Sequence, residues 1–333
     1  MHRPAILFLT SSLSSFVEGD LRMLKASYPV REVATGGGPA GSFGQRLSLV
    51  LSILSGVLRT DIIFAWFAHN HSYLAVMAAR LLRKKSLVVV GGYEVANEPE
   101  IGYGALLDPG MAEKVRYIIE NADCILAVSE FSRREILATA EPRRIKTIYN
   151  CVDTSVFSPD GPKEGVVLTV CLVSTANIRV KGLDTFMDAA RQIPEARFVL
   201  IGRALDGALE ILKRDAPANV EFVGAVGQAE LIGWYRRAKV YCQLSYRESF
   251  GVALAEAMSC ECVPVVTDRG ALPEVVGDVG FVVPYGNAEA TAAAISDALR
   301  SDSGRRARAR IQTVFSIGER VKRIRTIIEE VSV

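Results

Sequence analysis

The sequence predicts an α/β protein built from two parallel-sheet domains in tandem, with its site in the cleft between them. Three observations predict this. Short β-branched runs, apolar at nearly every position, alternate with stretches of helical periodicity. Strands that are apolar on both faces and joined by helices belong to parallel sheets covered on both sides. The rhythm breaks once, at Asp153 and Ser158-Pro159-Asp160-Gly161-Pro162, and then restarts. The chain has 333 residues, of which 50% are hydrophobic and 23% charged, which is enough material for two cores.

In the first half the strand candidates are 5–9, 30–34, 62–66, 87–90, 124–128 and 145–149. Helical patterns fall at 16–27, 47–58 and 73–82. In the second half the strand candidates are 166–173, 197–201, 220–223, 240–244 and 263–266, with helices at 183–191, 205–214, 230–238 and 252–259. The expected domains are 1–158 and 159–310, with a helix at 311–333 packing back on the first. In open α/β sheets, sites lie at the carboxyl ends of strands. With two such sheets, the space between them is the natural place for a ligand.

Composition excludes several classes. A net charge of +2 gives no global attraction to nucleic acid. None of the six cysteines forms a CxxC pair, and most lie in apolar runs, so reduced thiols in a cytoplasmic protein are expected. The N-terminal apolar stretch is short and soon followed by Glu18 and Asp20, so it reads as a first buried strand rather than a leader. Segment 47–58, the most membrane-like, is too short to span a bilayer and carries three serines. Residues 300–325 carry nine Lys+Arg against Asp302 and Glu319. This basic tail reads either as a solvated helical face or as a strip for anionic lipid or for the other domain. Peripheral contact with the inner face of the membrane would follow from the second reading.

Two motifs are decoys. Gly36, Gly38 and Gly41 match GxGxxG, with Asp61 beyond, but they follow the second strand rather than the first. Pro39 also removes an amide from that loop. Cys260 and Cys262 have no His or Cys partner nearby to complete a tetrahedral metal site. No DxD pair occurs, so no metal and no cofactor are expected.

The informative segment is Ser245-Tyr246-Arg247-Glu248-Ser249-Phe250-Gly251-Val252-Ala253-Leu254-Ala255-Glu256-Ala257-Met258. A strand runs into a polar loop, and a helix opens near Gly251. Free amides at a helix start attract phosphate, and glycine lets a ligand approach the backbone. Glu248 and Glu256 bracket this point. Carboxylates accept hydroxyl hydrogen bonds well, so sugar and ribose hydroxyls are suitable partners.

This segment resembles the E-x7-E motif of retaining GT-B glycosyltransferases, in particular glycosyltransferase family 4. Val180-Lys181-Gly182-Leu183-Asp184 resembles the family's KGLD segment, and Phe198 to Gly202 its strand ending in glycine. Gly270-Ala271-Leu272-Pro273-Glu274-Val275-Val276 resembles its G-x-PE-V turn, and Gly280 to Pro284 its GxLVP strand. Asn150-Cys151-Val152-Asp153, with Phe157 and Pro159, resembles its linker. In the first half the likeness is weaker, limited to 122–129 and the region of His71.

The resemblance implies a GT-B fold, with two Rossmann-like domains facing across a cleft. It implies metal-independent, retaining transfer of a sugar from a UDP- or GDP-sugar to a carbohydrate or lipid-linked acceptor. Glu248, Lys181 and His71 take the catalytic positions. Glu256, Phe250, Gly251, Val252, Arg179 and Gly202 take the donor side. Ser12, His69 and Glu94 fall on the acceptor side. The family places an arginine five residues before the lysine of KG; here that position is Ala176, and Arg179 is the nearest substitute. A GT-B-like sugar-nucleotide epimerase and a silent sugar-nucleotide-binding subunit share the architecture. The retained Glu248, Glu256 and Lys181 weigh against the silent subunit. The sequence leaves the oligomeric state open.

Overall fold

The computed structural model describes residues 3–35 and 43–332. The Gly36–Gly41 glycine motif and His2 lie outside the described residues. The chain divides into two compact units, one of residues 1–150 with 318–333, the other of residues 151–317. The expected junction at 158–159 falls inside the second unit.

The first unit contains β1 (Ile6–Thr10), α1 (Ser15–Lys25), β2 (Val30–Ala34), α2 (Phe43–Arg59), β3 (Ile62–Trp66) and α3 (Asn70–Leu81). It continues with β4 (Lys85–Val90), α4 (Pro109–Asn121), β5 (Cys124–Ala127), α5 (Glu130–Thr139) and β6 (Ile145–Thr147). Its sheet has the order β2-β1-β3-β4-β5-β6, and every pairing is parallel. β1, β3 and β5 are buried along their whole length, as continuous apolar runs require. One face packs Leu7, Ile63, Val88 and Ile125 against residues of α2, α3 and α4. The other packs Phe8, Phe64, Val89 and Leu126 against residues of α1 and of the chain's last helix.

The second unit contains β7 (Glu164–Val170), α6 (Thr175–Val180), α7 (Leu183–Gln192), β8 (Arg197–Ile201), α8 (Ala208–Asp215), β9 (Val220–Gly224), α9 (Gln228–Arg237) and β10 (Ala238–Gln243). It goes on through α10 (Val252–Ser259), β11 (Val263–Thr267), α11 (Leu272–Val276), β12 (Phe281–Val283), α12 (Ala288–Arg300) and α13 (Gly304–Val314). Its sheet, β12-β11-β10-β7-β8-β9, is also wholly parallel. Both sheets therefore match the α/β, Rossmann-like class that the sequence predicts.

The last helix, α14 (Ile317–Ser332), lays Ile324, Ile327, Ile328 and Val331 into the first unit's core. Arg320, 4% exposed, holds Asp20 through two nitrogens at 2.6 and 2.7 Å. It also donates to the carbonyls of Ile148 and Tyr149. Asp20 in turn accepts from Trp66 Nε1 at 3.0 Å. Both buried charges are thus paired and hydrogen-bonded, the condition for burying them at all.

This changes the reading of the basic tail. Arg308 donates to the carbonyls of Thr154, Phe157 and Ser259, and Arg310 to those of Glu274 and Val275. Arg300, Arg306 and Arg323 pair with Asp297, Asp278 and Glu319. Arg308 and Arg310 thus brace the second unit and Arg320 the first, while Arg300, Arg305, Arg306, Lys322, Arg323 and Arg325 stay exposed.

Candidate active site

The site of the second unit is a knot of three loops at the carboxyl ends of β7, β10 and β11. The loop from β10 to α10 carries Glu248. From one side, Tyr246 N donates to Val180 O at 2.9 Å. From the other, Ala271 N donates to Glu248 O at 2.8 Å, and Thr267 Oγ1 to Ser245 O at 2.6 Å. Two glycines make this approach possible. A Cβ on Gly182 would stand 2.1 Å from Leu244 O, and one on Gly270 2.3 Å from Glu248 O. Both also have positive φ, +61° and +62°, where side chains are disfavoured. The glycines of the KG and G-x-PE-V segments thus serve the backbone beneath Glu248.

Glu248 Oε2 accepts from Lys181 Nζ at 2.8 Å and from Gln243 Nε2 at 2.7 Å, with Ser245 Oγ at 3.5 Å. Lys181 is the C-cap of α6 and stays partly exposed, as does Glu248. Gln243 and Tyr235 both lie outside the motif segments that mark the site in sequence. The sequence does hold a signal for the first: a glutamine inside the apolar run 240–244 is a polar group needing a buried partner.

Gly251, with φ +90°, is the N-cap of α10, and no side chain caps that helix. Val252 opens the helix. Phe250 is buried against Phe315, ring centroids 5.4 Å apart, so only its backbone faces the loop. Glu256 lies one turn into α10, largely buried, and accepts from Tyr235 Oη at 3.3 Å. Burial raises its pKa to about 7, and the Tyr235 hydrogen bond only partly offsets this. Arg179 is exposed on α6, one turn after Ala176 on the same helix face. Its carbonyl accepts from Tyr285 Oη at 2.7 Å. Gly202 has a packing reason of its own: a Cβ there would meet Cys171 O at 1.6 Å.

The other sequence-derived residues sit in the first unit, at the carboxyl ends of β1, β3 and β4. Ser12 is exposed just beyond β1, in a turn with Thr10. Phe67 opens the β3–α3 loop with φ +70°, a strained conformation for a non-glycine residue. His69 is the N-cap of α3, and its ring centroid lies 6.5 Å from those of both His71 and Tyr93. His71 is buried, with Nε2 2.8 Å from Trp66 O. A carbonyl can only accept, so Nε2 carries the hydrogen and Nδ1 is the acceptor. Burial lowers its pKa to about 4, so the ring is neutral at physiological pH.

Glu94 departs from its expected place facing an acceptor. It is fully buried, and its carboxylate accepts from the amides of Ala68, Gly91 and Gly92 at 2.8–3.1 Å. It ties the loop after β3 to the loop after β4.

Among the described residues, no group of three His, Cys, Asp or Glu is placed to hold a metal ion. Cys262 is a buried thiol donating to the carbonyls of Tyr235 and Ala238, and Cys260 caps the end of α10.

Comparison with known proteins bears on both units. The family model described as Glycosyltransferase Family 4 matches residues 17–156, and that described as Glycosyl transferases group 1 matches residues 167–301. A phosphatidyl-myo-inositol mannosyltransferase of Mycolicibacterium smegmatis is 30% identical over 189 residues, 53% of this chain and 48% of that protein. An N-acetyl-alpha-D-glucosaminyl L-malate synthase of Bacillus anthracis is 27% identical over 298 residues, 81% of this chain and 75% of its own length. The chain spans about half the length of the first curated relatives it matches. Among solved structures, Anabaena Alr3699/HepE in complex with UDP has a TM-score of 0.81 at 18% identity, covering 98% of this chain and 100% of that one. Sucrose-phosphate synthase from Thermosynechococcus elongatus has a TM-score of 0.79 at 18% identity, covering 99% of both chains. With one model matching each half and GT-B neighbours along its whole length, the chain belongs to the GT-B glycosyltransferases of family 4.

Proposed function

We propose that this chain is a retaining, metal-independent glycosyltransferase that moves a sugar from a UDP- or GDP-sugar to a lipid-linked or glycan acceptor. The observation that carries the reading is the Lys181–Glu248 ion pair, held at 2.8 Å beside the uncapped start of α10. A diphosphate seated there meets a cation, free amides and the positive end of the helix dipole. As the bond to the sugar breaks, negative charge grows on the leaving phosphate, and Lys181 stabilises it. Arg179, exposed on α6, would add a second cation.

Glu248 then turns toward hydroxyls of the transferred sugar, while Glu256, deprotonated, accepts from the ribose diol. His71 enters as a neutral hydrogen-bonding group, because its low pKa leaves the ring unprotonated at physiological pH. Ser12 and His69 fall to the acceptor side. The donor class has support from the fold neighbour solved with UDP. The acceptor class has support from relatives named for phosphatidyl-myo-inositol and for an O-antigen chain.

The test is to incubate the protein with UDP- and GDP-sugars and candidate acceptors, with and without chelator, and to read the anomeric configuration of the product. Transfer with the donor's configuration, unaffected by chelator, is expected. Inversion, loss of activity on chelation, or an epimerised donor formed without acceptor would refute the reading.

A further inference from the structure

Two side chains hold Glu248 Oε2 firmly, Lys181 Nζ at 2.8 Å and Gln243 Nε2 at 2.7 Å. Ser245 Oγ, at 3.5 Å, is too distant for a firm bond. The two holds differ in kind. Lys181 caps the end of α6, stays partly exposed and carries a charge that a diphosphate would draw away from Glu248. Gln243 ends β10, which lies inside its sheet between β11 and β7, in register with Val266. It is only 8% exposed and uncharged, so an arriving phosphate has little pull on it.

Keeping a glutamine there costs the fold stability. Among the described residues, its Oε1 is buried with no hydrogen-bond partner. Turning the amide over would set Oε1 against the Glu248 carboxylate, so that contact fixes its orientation. A buried amide with one atom unanswered is destabilising, and a leucine of similar size would avoid the cost. The strand thus retains a polar group whose one side-chain partner is Glu248. Stability given up beside a reacting centre is a mark of function.

We propose that Gln243 is a positioning residue, which anchors the Glu248 carboxylate to the rigid end of β10 while Lys181 serves the leaving phosphate. As Lys181 moves to the phosphate, Glu248 turns about the Gln243 contact, and its other oxygen meets the sugar hydroxyl. The inference rests on the proposed sugar transfer and adds to it the uncharged anchor that keeps Glu248 in place.

The full chain, Gln243→Leu and Gln243→Glu are compared by urea melts and by release of nucleoside diphosphate from UDP-glucose and GDP-mannose. Gln243→Leu should turn over about tenfold or more slowly, with KM within about threefold of wild type. Its urea midpoint should be no lower than that of wild type. A residue that only packed the core would show the reverse. Gln243→Glu places a second acid beside Glu248, and the pair shares a proton. Protonated, it donates as the amide does; ionised, it repels Glu248. Its turnover relative to wild type should therefore fall about threefold or more as pH rises from 5 to 8. Glu256, with its pKa of about 7, titrates in both proteins, and the ratio removes it. Lys181 is likewise common to both. Cys171 and Tyr241, which also feel the Glu248 charge, ionise well above this range.

Wild-type turnover in Gln243→Leu, a lowered urea midpoint, or a flat pH ratio in Gln243→Glu would overturn the inference. Absence of nucleotide release by the wild type would instead sink the sugar-transfer reading. Ligand-free crystals of wild type and Gln243→Leu then decide the anchor by itself. The Glu248 carboxylate should move by about 1 Å or more in the variant, and an unmoved carboxylate would overturn the inference.

Discussion

The loop after β10 and the loop after β4 occupy equivalent places, each at the carboxyl end of a central strand, yet they use charge in opposite ways. In the second unit, Glu248 is partly exposed and shares its carboxylate with Lys181 and Gln243. In the first, Glu94 is fully buried and its carboxylate is committed to three backbone amides, while His71 beside it is neutral. One loop holds its charges where a ligand can meet them. The other consumes a charge to fix its own shape. A carboxylate at a strand end is therefore not by itself a sign of chemistry; its hydrogen-bond partners decide.

The contrast breaks first at Glu248. Glu248→Gln should lower turnover about a hundredfold or more while leaving stability within about 0.5 kcal/mol of wild type. Lys181→Ala should likewise lower turnover more than donor affinity. Steady-state kinetics and urea melts of the same preparations check both, and a large stability loss with intact turnover would reverse the comparison.

His71 gives a pH test. Its pKa is about 4 in the folded chain, below the ordinary 6.5, so the unfolded chain takes up the proton first. The stability concerned is complete above pH 6.5 and is lost progressively as pH falls toward 4, by up to about 3 kcal/mol. Urea midpoints of wild type and His71→Gln between pH 4 and 8 should diverge only on the acid side.

At Glu94 the expected loss is one of stability. Glu94→Gln keeps the shape but gives one carbonyl where two oxygens accepted, leaving buried amides short of a partner, at a cost of about 2 kcal/mol. Urea denaturation measures it. A variant that kept full stability would mean the carboxylate is not structural.

The smallest effect concerns Glu256. Its raised pKa, about 7, means the free protein gains a better hydroxyl acceptor as pH rises. Affinity for a nucleotide-sugar should grow about threefold or more from pH 6 to 8 and become flat in Glu256→Gln. Calorimetric titration at several pH values reads this directly.

Much of this was legible in the sequence. Strands apolar on both faces announced the two sheets, and α10 lies at 252–259 as its pattern implies. The spacing of Glu248 and Glu256 about Gly251 survives as local geometry. Other features depend on folding partners far along the chain. Glu94 after Gly91-Gly92 looks the same in sequence whether it faces solvent or three amides. The arginines at 308, 310 and 320 look like a solvated stripe until the carbonyls and Asp20 that they reach come near. Gln243 was visible as a polar residue in an apolar strand, but its partner was not.

The most direct test is a crystal of this protein grown with an intact nucleotide-sugar. The account predicts the diphosphate against the first turn of α10, within reach of Lys181, with Glu256 on the ribose hydroxyls. A nucleotide bound at another loop, or one at α10 with Lys181 turned away from its phosphates, would contradict it.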